Sequence, residues 1–338
     1  MEIIWHTKDY TTQQEVIHFL ERWNDENSWI EMQTSGSTGK PKIIRLEKEK
    51  MKISVKKTLQ FLNIQPQQTA VLSLSVKSIA GAMMLVRSIV GDLKLIVSDV
   101  SSSTLDAIEE KIDFIALVPL QLSKILMKEK VWKKLPVNTI IGGAPLPYST
   151  INLLKNNGIT LYQTYGMTET ISHIALRKVG EITEDFFTTL EGVSVSRNEK
   201  EQLEIHYPEL LEQTLLTNDL VDIISPNQFV WKGRLDFVIN TGGVKVHPEI
   251  LEQQLSKIIH EDFFVSALPH PELGEELVLI VETETPLNLH RTNFEHINKY
   301  EIPKKIALVS KFERTLLGKI NRSATLQNIQ PNDWQQVV

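Results

Sequence analysis

Short apolar segments typical of strands alternate with helical patterns along the first two thirds of the chain, and this alternation limits the fold most. Strand-like segments include Val71–Leu74, Phe114–Leu117 and Thr139–Ile141, and helical spacing is present in Glu47–Leu62 and Ala80–Val90. Repeated strand–loop–helix units place their strands in parallel, with the helices covering the sheet. The pattern therefore predicts an α/β fold with a mainly parallel sheet.

The pattern changes in the last third of the chain. Short strands and turns, such as Thr214–Thr217 and Phe229–Trp231, give way to a helix over Pro248–Ile259 that starts with proline, where the missing N–H costs nothing. We therefore expect two domains: a large N-terminal α/β domain over 1–234, and a small α+β C-terminal domain over 235–338.

Composition excludes several classes of protein. Apolar residues make up 41% of the 338 residues, enough for a core, and the net charge of −6 argues against a nucleic-acid-binding protein. The absence of cysteine excludes disulfides and thiolate sites. Apolar runs such as Ile115–Leu120 are far shorter than the roughly 20 residues of a membrane span. We expect a soluble, cytoplasmic protein without a membrane span, and its oligomeric state stays open.

A loop rich in glycine and hydroxyl groups is the strongest local feature. Thr34–Lys42 reads TSGSTGKPK and follows a predicted strand at Trp29–Gln33. Glycines allow backbone N–H groups to approach a phosphate closely, and hydroxyls and lysines add donors and charge. The loop is not a Walker A motif, because Pro41 stands where Ser or Thr would bind magnesium. A flexible polar loop without a ligand is the alternative.

A second motif follows the predicted strand Ile159–Gln163. It reads Tyr165-Gly166-Met167-Thr168-Glu169-Thr170. Ligands of open α/β sheets bind at the carboxyl ends of strands. There Tyr165 offers a flat face to a base, Thr168 a hydroxyl donor and Glu169 an oxygen ligand for Mg²⁺. The alternative is a helix N-cap with an acid in its first turn.

Two further motifs lie towards the C-terminus. Lys232–Asp236 precedes Asn240–Val246, which contains Gly242 and Gly243, and Leu317–Arg322 contains Lys319. An Arg/Asp pair near a turn is commonly a surface ion pair worth under about 1 kcal/mol. Paired glycines serve either a plain hairpin turn or the close approach of a ligand.

The motifs occur together in one order, and in this order the chain resembles the adenylate-forming superfamily of acyl-CoA synthetases, adenylation domains and luciferases. The resemblance extends from about Met32 to Arg322. It implies ATP, Mg²⁺ and coenzyme A as cofactors, and a small carboxylic acid as substrate. The nucleotide-binding positions that it implies are Thr34, Ser35, Gly36, Ser37, Thr38, Gly39, Lys40, Gly142, Gly143, Ala144, Tyr165, Gly166, Met167, Asp219 and Arg234.

The resemblance also implies roles in the chemistry. Thr168 and Glu169 match the family's α-phosphate and magnesium segment, and Lys319 matches the catalytic lysine of the mobile C-terminal domain. Asp236 matches the hinge between the two domains. Gly242 and Gly243 lie where the rotated C-terminal domain would line a channel for coenzyme A. One departure is Asn218, which replaces the usual glycine before Asp219.

One branch of the superfamily is most similar. Gln163–Ile174, and Ser78-Ile79-Ala80-Gly81 followed by Arg87, resemble the o-succinylbenzoate–CoA ligases of menaquinone biosynthesis. This resemblance implies an aromatic acid with a second carboxylate, with Ser78, Gly81 and Arg87 on the acid side of the site. Ser78 stands where that branch usually has histidine. For Arg87 the alternative is a solvated helix residue, because arginine is usually exposed.

Two other functions stay open at this point. The chain could adenylate another aryl or alkyl acid and load it onto coenzyme A or a carrier protein. It could also be a non-catalytic nucleotide-binding remnant, because Thr34 lies close to the start of the sequence, where typical relatives carry a subdomain-sized segment. The acid site and the oligomer contacts that such a segment supports in typical relatives therefore stay open for this chain.

Overall fold

Two large β-sheets and one hairpin organise the part of the chain that the structure describes. A computed structural model describes residues 1–33, 43–287, 289, 291–314 and 320–337. The strands are β1 (Glu2–Trp5), β2 (Trp29–Gln33), β3 (Ile43–Glu47), β4 (Thr69–Leu72), β5 (Lys94–Val97), β6 (Phe114–Leu117), β7 (Asn138–Ile141), β8 (Thr160–Gly166), β9 (His173–Gly180), β10 (Phe187–Thr189), β11 (Ser194–Arg197), β12 (Gln202–His206), β13 (Leu215–Ser225), β14 (Gln228–Arg234), β15 (Ile239–Thr241), β16 (Val244–Val246), β17 (Asp262–His270), β18 (Gly274–Glu282), β19 (Lys305–Val309) and β20 (Trp334–Gln336). The helices are α1 (Tyr10–Asn24), α2 (Lys48–Phe61), α3 (Ile79–Val90), α4 (Pro119–Leu126), α5 (Glu129–Trp132), α6 (Tyr148–Asn156), α7 (Pro248–Leu255) and α8 (Arg322–Asn328).

The first sheet joins a parallel half to an antiparallel half. Its twelve described strands run in the order β1-β5-β4-β6-β7-β8-β9-β10-β14-β13-β12-β11. All pairings from β1 to β8 are parallel, and the pairing of β8 with β9 is the first antiparallel one. The predicted α/β architecture is therefore confirmed, and the change of direction falls at β8.

Helices cover both faces of the parallel half, and burial explains their sequences. α3 has little polar surface because it is enclosed by α2 and the sheet, and its residues from Gly81 to Ser88 are all buried. A second apolar cluster covers the opposite face of the sheet, where Leu122, Ile125 and Leu154 of α4 and α6 contact β6 and β7. Strands buried on both faces are apolar at every position, as Phe114–Leu117 is.

The second sheet has six strands in the part of the chain described. β17 and β18 form a long antiparallel hairpin, β19 pairs with β18 in parallel, and α7 packs on β17. The first sheet ends at Arg234 and the second begins at Ile239, with a 3-10 turn over Leu235–Phe237 between them. The predicted domain boundary lies in this interval, and it stays a prediction.

Several local predictions need correction. The strand at Trp29–Gln33 does not join the parallel sheet, because it pairs antiparallel with Ile43–Glu47 in a separate hairpin. The short strands at Thr214–Thr217 and Phe229–Trp231 belong to one long hairpin of β13 and β14. The helix predicted over Pro248–Ile259 ends at Leu255.

Two N-terminal elements were not predicted. β1 forms the edge of the large sheet beside β5, and α1 packs Val16, Phe19 and Trp23 into the core. The Asp9 carboxylate begins α1 by accepting hydrogen bonds from the backbone N–H groups of Thr11 and Thr12. Among the helices of the described residues, none is long and apolar enough to cross a membrane.

Candidate functional site

The candidate site lies where the large sheet changes from parallel to antiparallel, at the carboxyl ends of β7 and β8. Gly142 follows β7 directly, and a Cβ atom there would lie 2.5 Å from the Thr164 Oγ1 of β8. Gly143 has a φ of +86°, which favours glycine. The Thr164 hydroxyl donates to the carbonyl of Ile141 at 3.1 Å. The two segments that the sequence assigns to the adenine are therefore in contact.

Tyr165 and Asp219 lie in direct contact. The Tyr165 hydroxyl donates to Asp219 Oδ2 at 2.6 Å, and its ring packs against Phe187 and Phe229 with centroid distances of 5.8 and 5.2 Å. Burial, and then the Asp219 carboxylate, raise the pKa of Tyr165 far above its ordinary value. Tyr165 is thus a neutral donor at the pH of the cell. Stacking of its ring on an adenine stays a prediction.

Trp231 completes the environment of Asp219, and the sequence analysis missed it. Its indole N–H donates to Asp219 Oδ1 at 2.9 Å, while the Asp219 backbone N–H donates to Thr217 Oγ1 at 3.0 Å. Asp219 is only 7% exposed. Each of its carboxylate oxygens therefore has one donor from the protein, and further lone pairs remain to accept hydroxyls. No local signal points to Trp231, because the irregular hairpin register pairs Asp219 with Arg234 and Trp231 with Val221.

The segment after β8 carries an exposed carboxylate on a strained turn. Thr168–Thr170 form one 3-10 turn in which Glu169 is exposed. The Thr170 hydroxyl accepts from the Met167 N–H at 3.1 Å and fixes the turn. Ile171 follows with a φ of +66°, an outlier for a β-branched residue and a kind of strain that clusters at functional sites.

Gly166 allows this segment to lie close to β9. A Cβ atom at Gly166 would lie 2.3 Å from the Cα of His173. No side chain larger than hydrogen fits at this position. The glycine of the motif therefore serves packing, whatever ligand the segment binds.

A buried polar cluster joins α2, α3 and β9 beside this segment. Arg87 is 2% exposed, and its Nη2 donates to Ser172 Oγ at 2.9 Å. Its Nε–H is buried and has no acceptor among the described residues, and no carboxylate of those residues forms an ion pair with it. Burial lowers the pKa of Arg87 from 12.5 to about 9. The alternative of a solvated helix residue is therefore wrong.

His173 is the neighbour of Arg87 in this cluster. Its Nε2 lies 3.0 Å from Thr58 Oγ1 of α2. Burial, and then the Arg87 charge, hold the pKa of His173 well below its usual range, so the imidazole is neutral. The cluster thus has a cation and no described anion.

Ser78 and Gly81 form the start of α3. The Ser78 Oγ accepts from the Gly81 N–H at 3.2 Å and donates to the Ser75 carbonyl at 2.7 Å. A Cβ atom at Gly81 would lie 2.2 Å from that same carbonyl oxygen. Both residues therefore have a structural task, which is to hold the helix N-terminus against the Leu74–Ser75 turn. Their contact with an acid stays a prediction.

The hinge motif forms an exposed ion pair. Arg234 donates to Asp236 from Nε at 2.9 Å and from Nη2 at 3.1 Å, and the hydrogen bond from Arg234 to Asp236 raises the pKa of Arg234. Gly242 and Gly243, with φ of +56° and +83°, form the two-residue turn between β15 and β16. They are thus hairpin-turn glycines in this structure, and a channel for coenzyme A stays a prediction.

Two predicted parts of the site lie outside the described residues. They are the phosphate loop, Thr34 to Lys40, and the catalytic lysine, Lys319. Ala144 follows the Gly142-Gly143 turn and is half-buried. Within the described ranges no group of three or more His, Asp or Glu side chains could hold a metal ion by itself. A single carboxylate such as Glu169 suits Mg²⁺, which is commonly held by one or two carboxylates together with substrate phosphates.

Known proteins support this assignment of the fold. The family described as "AMP-binding enzyme" matches residues 9–195. The 2-succinylbenzoate–CoA ligase of Listeria monocytogenes is 25% identical over 92% of this chain and 72% of its own length. An AMP-forming acyl-CoA synthetase/AMP-acid ligase II-like protein from Dyadobacter fermentans is 32% identical, covers 95% of both chains and has a TM-score of 0.64.

A third comparison concerns the fold alone. The o-succinylbenzoate coenzyme A synthetase of Bacillus subtilis, solved with ATP and magnesium, has a TM-score of 0.73 at 21% identity, over 88% of this chain and 69% of its own. The family match covers more than half of the 338 residues, and the resemblance inferred from the motifs is confirmed. The chain belongs to the AMP-binding enzyme family.

Proposed function

We propose that the chain is an ATP-dependent acid–CoA ligase that converts o-succinylbenzoate to its CoA thioester through an acyl-adenylate. The observation that carries the choice of acid is the buried guanidinium of Arg87, which has no described anionic partner and adjoins the segment that follows β8. The 2-succinylbenzoate–CoA ligases among its relatives support the same acid.

The reaction has two steps. The substrate carboxylate attacks the α-phosphorus of ATP, the bond to the β-phosphate oxygen breaks, and pyrophosphate leaves. The deprotonated thiol of coenzyme A then attacks the acyl carbon, and AMP leaves with the electron pair of the broken C–O bond. Neither step needs a protein nucleophile, so the protein contributes positioning and charge neutralisation.

The nucleotide is held from two sides in this proposal. Asp219 accepts the ribose hydroxyls on the lone pairs that Tyr165 and Trp231 leave free, with Arg234 next to it on the paired strand. Gly142 and its neighbours offer backbone groups to the adenine. Glu169, with the Thr168 hydroxyl, is proposed to hold Mg²⁺, which would neutralise charge on the phosphates when bound.

Two proposed contributions come from residues outside the described ranges. The hydroxyls and N–H groups of Thr34–Thr38, with Lys40, are proposed to bind the β- and γ-phosphates. Lys319 is proposed to lie between the attacking carboxylate and the α-phosphate, because a cation there offsets the repulsion between two anions.

Asp236 is proposed as the hinge that removes Lys319 before the second step, and Gly242-Gly243 as part of the CoA channel.

Arg87 is proposed to bind the second carboxylate of the acid. An unpaired buried cation is costly, and a carboxylate that accepts from its Nε–H would supply the missing partner. A monocarboxylic acid of similar size leaves that cost in place. The proposal therefore predicts selectivity for the dicarboxylic acid over its monocarboxylic analogues.

The test is pyrophosphate release by the full chain with ATP and Mg²⁺. The acids are o-succinylbenzoate, octanoate and two analogues that each lack one carboxylate: 2-butyrylbenzoate, without the succinyl carboxylate, and 4-oxo-4-phenylbutanoate, without the aromatic one. We expect kcat/KM for o-succinylbenzoate to exceed that for the analogue that keeps the reacting carboxylate by roughly 10- to 100-fold, the value of one charge-assisted pair. Arg87→Met should remove this preference and leave activity on that analogue in place.

Other outcomes would change the assignment. A preference for octanoate would reject the aromatic diacid. Pyrophosphate release with no thioester formed in the presence of coenzyme A would favour a carrier protein as the acceptor. No pyrophosphate release with any acid would favour a nucleotide-binding remnant. The cytoplasmic location expected from the sequence remains a prediction.

A further inference from the structure

Glu249 lies buried at the contact between the two sheets. It stands in the first turn of α7, which belongs to the second sheet and packs against β14 of the first. Its carboxyl group faces Gly233, where a Cβ atom would lie 2.5 Å from Glu249 Oε2. Gly233 has a φ of +137°, which favours glycine. Because glycine has no side chain, the backbone of β14 faces the carboxyl group directly at this point.

One oxygen of the Glu249 carboxyl group has no partner among the described residues. This atom, Oε2, is fully buried and makes no hydrogen bond to any of them. The cation that acts on the carboxyl group is Arg322, but the guanidinium of Arg322 donates to Glu252 at 2.8 Å. Asp236, which faces the same space, is paired with Arg234. The guanidinium groups of Arg322 and Arg234 are thus each paired with a carboxylate other than that of Glu249.

A charged carboxylate is expensive in such a place, and a neutral carboxyl group is much less so. Burial raises the pKa of Glu249 from 4.5 to about 7, and Glu252 and Asp236 add to this while Arg322 opposes it. When α7 leaves β14, water reaches the group and the reason for the raised pKa is lost.

We propose that Glu249 is a proton-operated latch between the two sheets, whose carboxyl group must carry a proton to lie against Gly233 in the docked arrangement seen here. Loss of that proton would favour the undocked arrangement, in which α7 is separated from β14. Any effect of this latch on the two half-reactions rests on the proposed function. The latch itself rests only on the contact between Glu249 and Gly233.

His247 is a further titratable group at this contact. It stands at the start of α7, has a buried Nδ1 without a described partner and faces Lys232, Lys245, Glu201 and Asp222. Burial, and then Lys232, hold its pKa below 6.5. A proton taken up by His247 at low pH therefore favours the undocked arrangement, which is opposite to the effect of Glu249, and above neutral pH His247 is uncharged.

The sign and size of the effect follow from linkage. With a pKa of about 7 when docked and about 4.5 when undocked, the docked arrangement is favoured most at low pH. The preference falls as pH rises from about 4.5 to about 7 and is constant above that. Between pH 5.5 and 7.5 the titration of Glu249 alone should raise the ratio of undocked to docked molecules about twentyfold.

The chain has no cysteine, so two introduced cysteines can be labelled cleanly. Exposed Asn156 of α6 and exposed Gln253 of α7 are replaced by cysteine in the full chain and labelled with a donor and an acceptor. Single-molecule energy transfer then counts docked and undocked molecules from pH 5.5 to 8.5, without ATP, acid or coenzyme A. The result is therefore independent of whether the proposed reaction occurs.

Two matched variants complete the test. Glu249→Gln keeps the shape without the charge, and should keep the low-pH distribution of the parent chain over the whole range. Glu272→Gln changes an exposed glutamate of the same sheet unit, and should titrate like the parent. A parent distribution that does not change with pH, or a Glu249→Gln variant that titrates as the parent does, would overturn the proposal.

Discussion

Replacing Arg87 by methionine should stabilise the free protein while it impairs recognition of the diacid. Arg87 is charged at neutral pH in the folded and the unfolded chain, but folding removes its guanidinium from water without supplying an anion from the described residues. A pKa of about 9 instead of 12.5 corresponds to roughly 5 kcal/mol of lost solvation, at 1.36 kcal/mol for each pH unit. This value is the upper limit to the gain in the free energy of unfolding that the neutral methionine side chain could give.

Two losses reduce that gain. The Arg87→Met substitution removes the hydrogen bond to Ser172, which is worth about 1.5–3 kcal/mol for a charged donor, and it leaves the Ser172 hydroxyl without that donor. Methionine matches the length of the arginine stem and fills irregular space. We therefore expect the free energy of unfolding to rise by about 2 kcal/mol at pH 7.5.

The pH dependence of the effect follows from the same pKa shift of Arg87. Because folding lowers the pKa of Arg87, its penalty is complete below about pH 9 and falls as pH rises from about 9 to 12.5. Between pH 6 and 8.5 the difference between Arg87→Met and the parent should therefore be constant.

Urea unfolding followed by tryptophan fluorescence measures both quantities. Arg197→Met is the matched control, because Arg197 is exposed and its contacts with Asp222 and Glu201 lie at the surface, so a change within about 1 kcal/mol is expected. An Arg87→Met variant that is less stable than the parent by about 1 kcal/mol, beyond the range of a surface pair, would refute the idea that this cation waits for an anion. o-Succinylbenzoate should raise the Tm of the parent and leave that of the variant nearly unchanged.

Three further predictions concern the nucleotide and the two steps. Asp219→Ala should weaken ATP binding by roughly 10- to 100-fold, and Trp231→Phe, which loses one donor to Asp219 but keeps an aromatic ring, by less than about tenfold; calorimetry with ATP measures both, and an unchanged affinity of Trp231→Phe would deny Trp231 its positioning role. Lys319→Ala should lower adenylate formation by about two to four powers of ten, while thioester formation from preformed acyl-adenylate stays near normal; equal losses in both steps would indicate a structural role. Asp236→Pro should fix φ near −65° and trap one domain arrangement, so stopped-flow measurement of an undiminished thioester step would reject the hinge.

Much of the site could be predicted from short sequence motifs. The glycines at the ends of β7 and β8 stand out in the sequence, and the structure gives two of them a reason: a Cβ atom at Gly142 would collide with the Thr164 side chain, and one at Gly166 with the backbone of His173. Short apolar strands such as Phe114–Leu117 were predictable because both of their faces are buried. These features depend on a few neighbouring residues.

Features that depend on packing over long distances were not predictable in this way. The apolar residues beside Arg87 indicate a buried helix, but its polar partners Ser172 and His173 lie about 85 residues away along the chain, and nothing near Arg87 indicates them. The contact between Trp231 and Asp219 requires the register of a hairpin that contains irregularities. The contact of Glu249 with Gly233 joins two sheets.

One element was missed although its signal was local. The spacing of Val16, Phe19 and Trp23, with Asp9 as N-cap, is a complete pattern for α1. A search for a continuous apolar run as long as that of a signal peptide does not detect α1, because polar residues separate the apolar ones in an amphipathic helix.

The central claim is that the chain joins o-succinylbenzoate to coenzyme A through an adenylate. The most direct measurement incubates the full chain with ATP, Mg²⁺, o-succinylbenzoate and coenzyme A, and quantifies AMP, pyrophosphate and the thioester by liquid chromatography and mass spectrometry. We predict equal amounts of all three products, with acyl-adenylate accumulating on the protein when coenzyme A is omitted. Formation of ADP and phosphate in place of AMP and pyrophosphate, or no thioester at any protein concentration, would contradict the account.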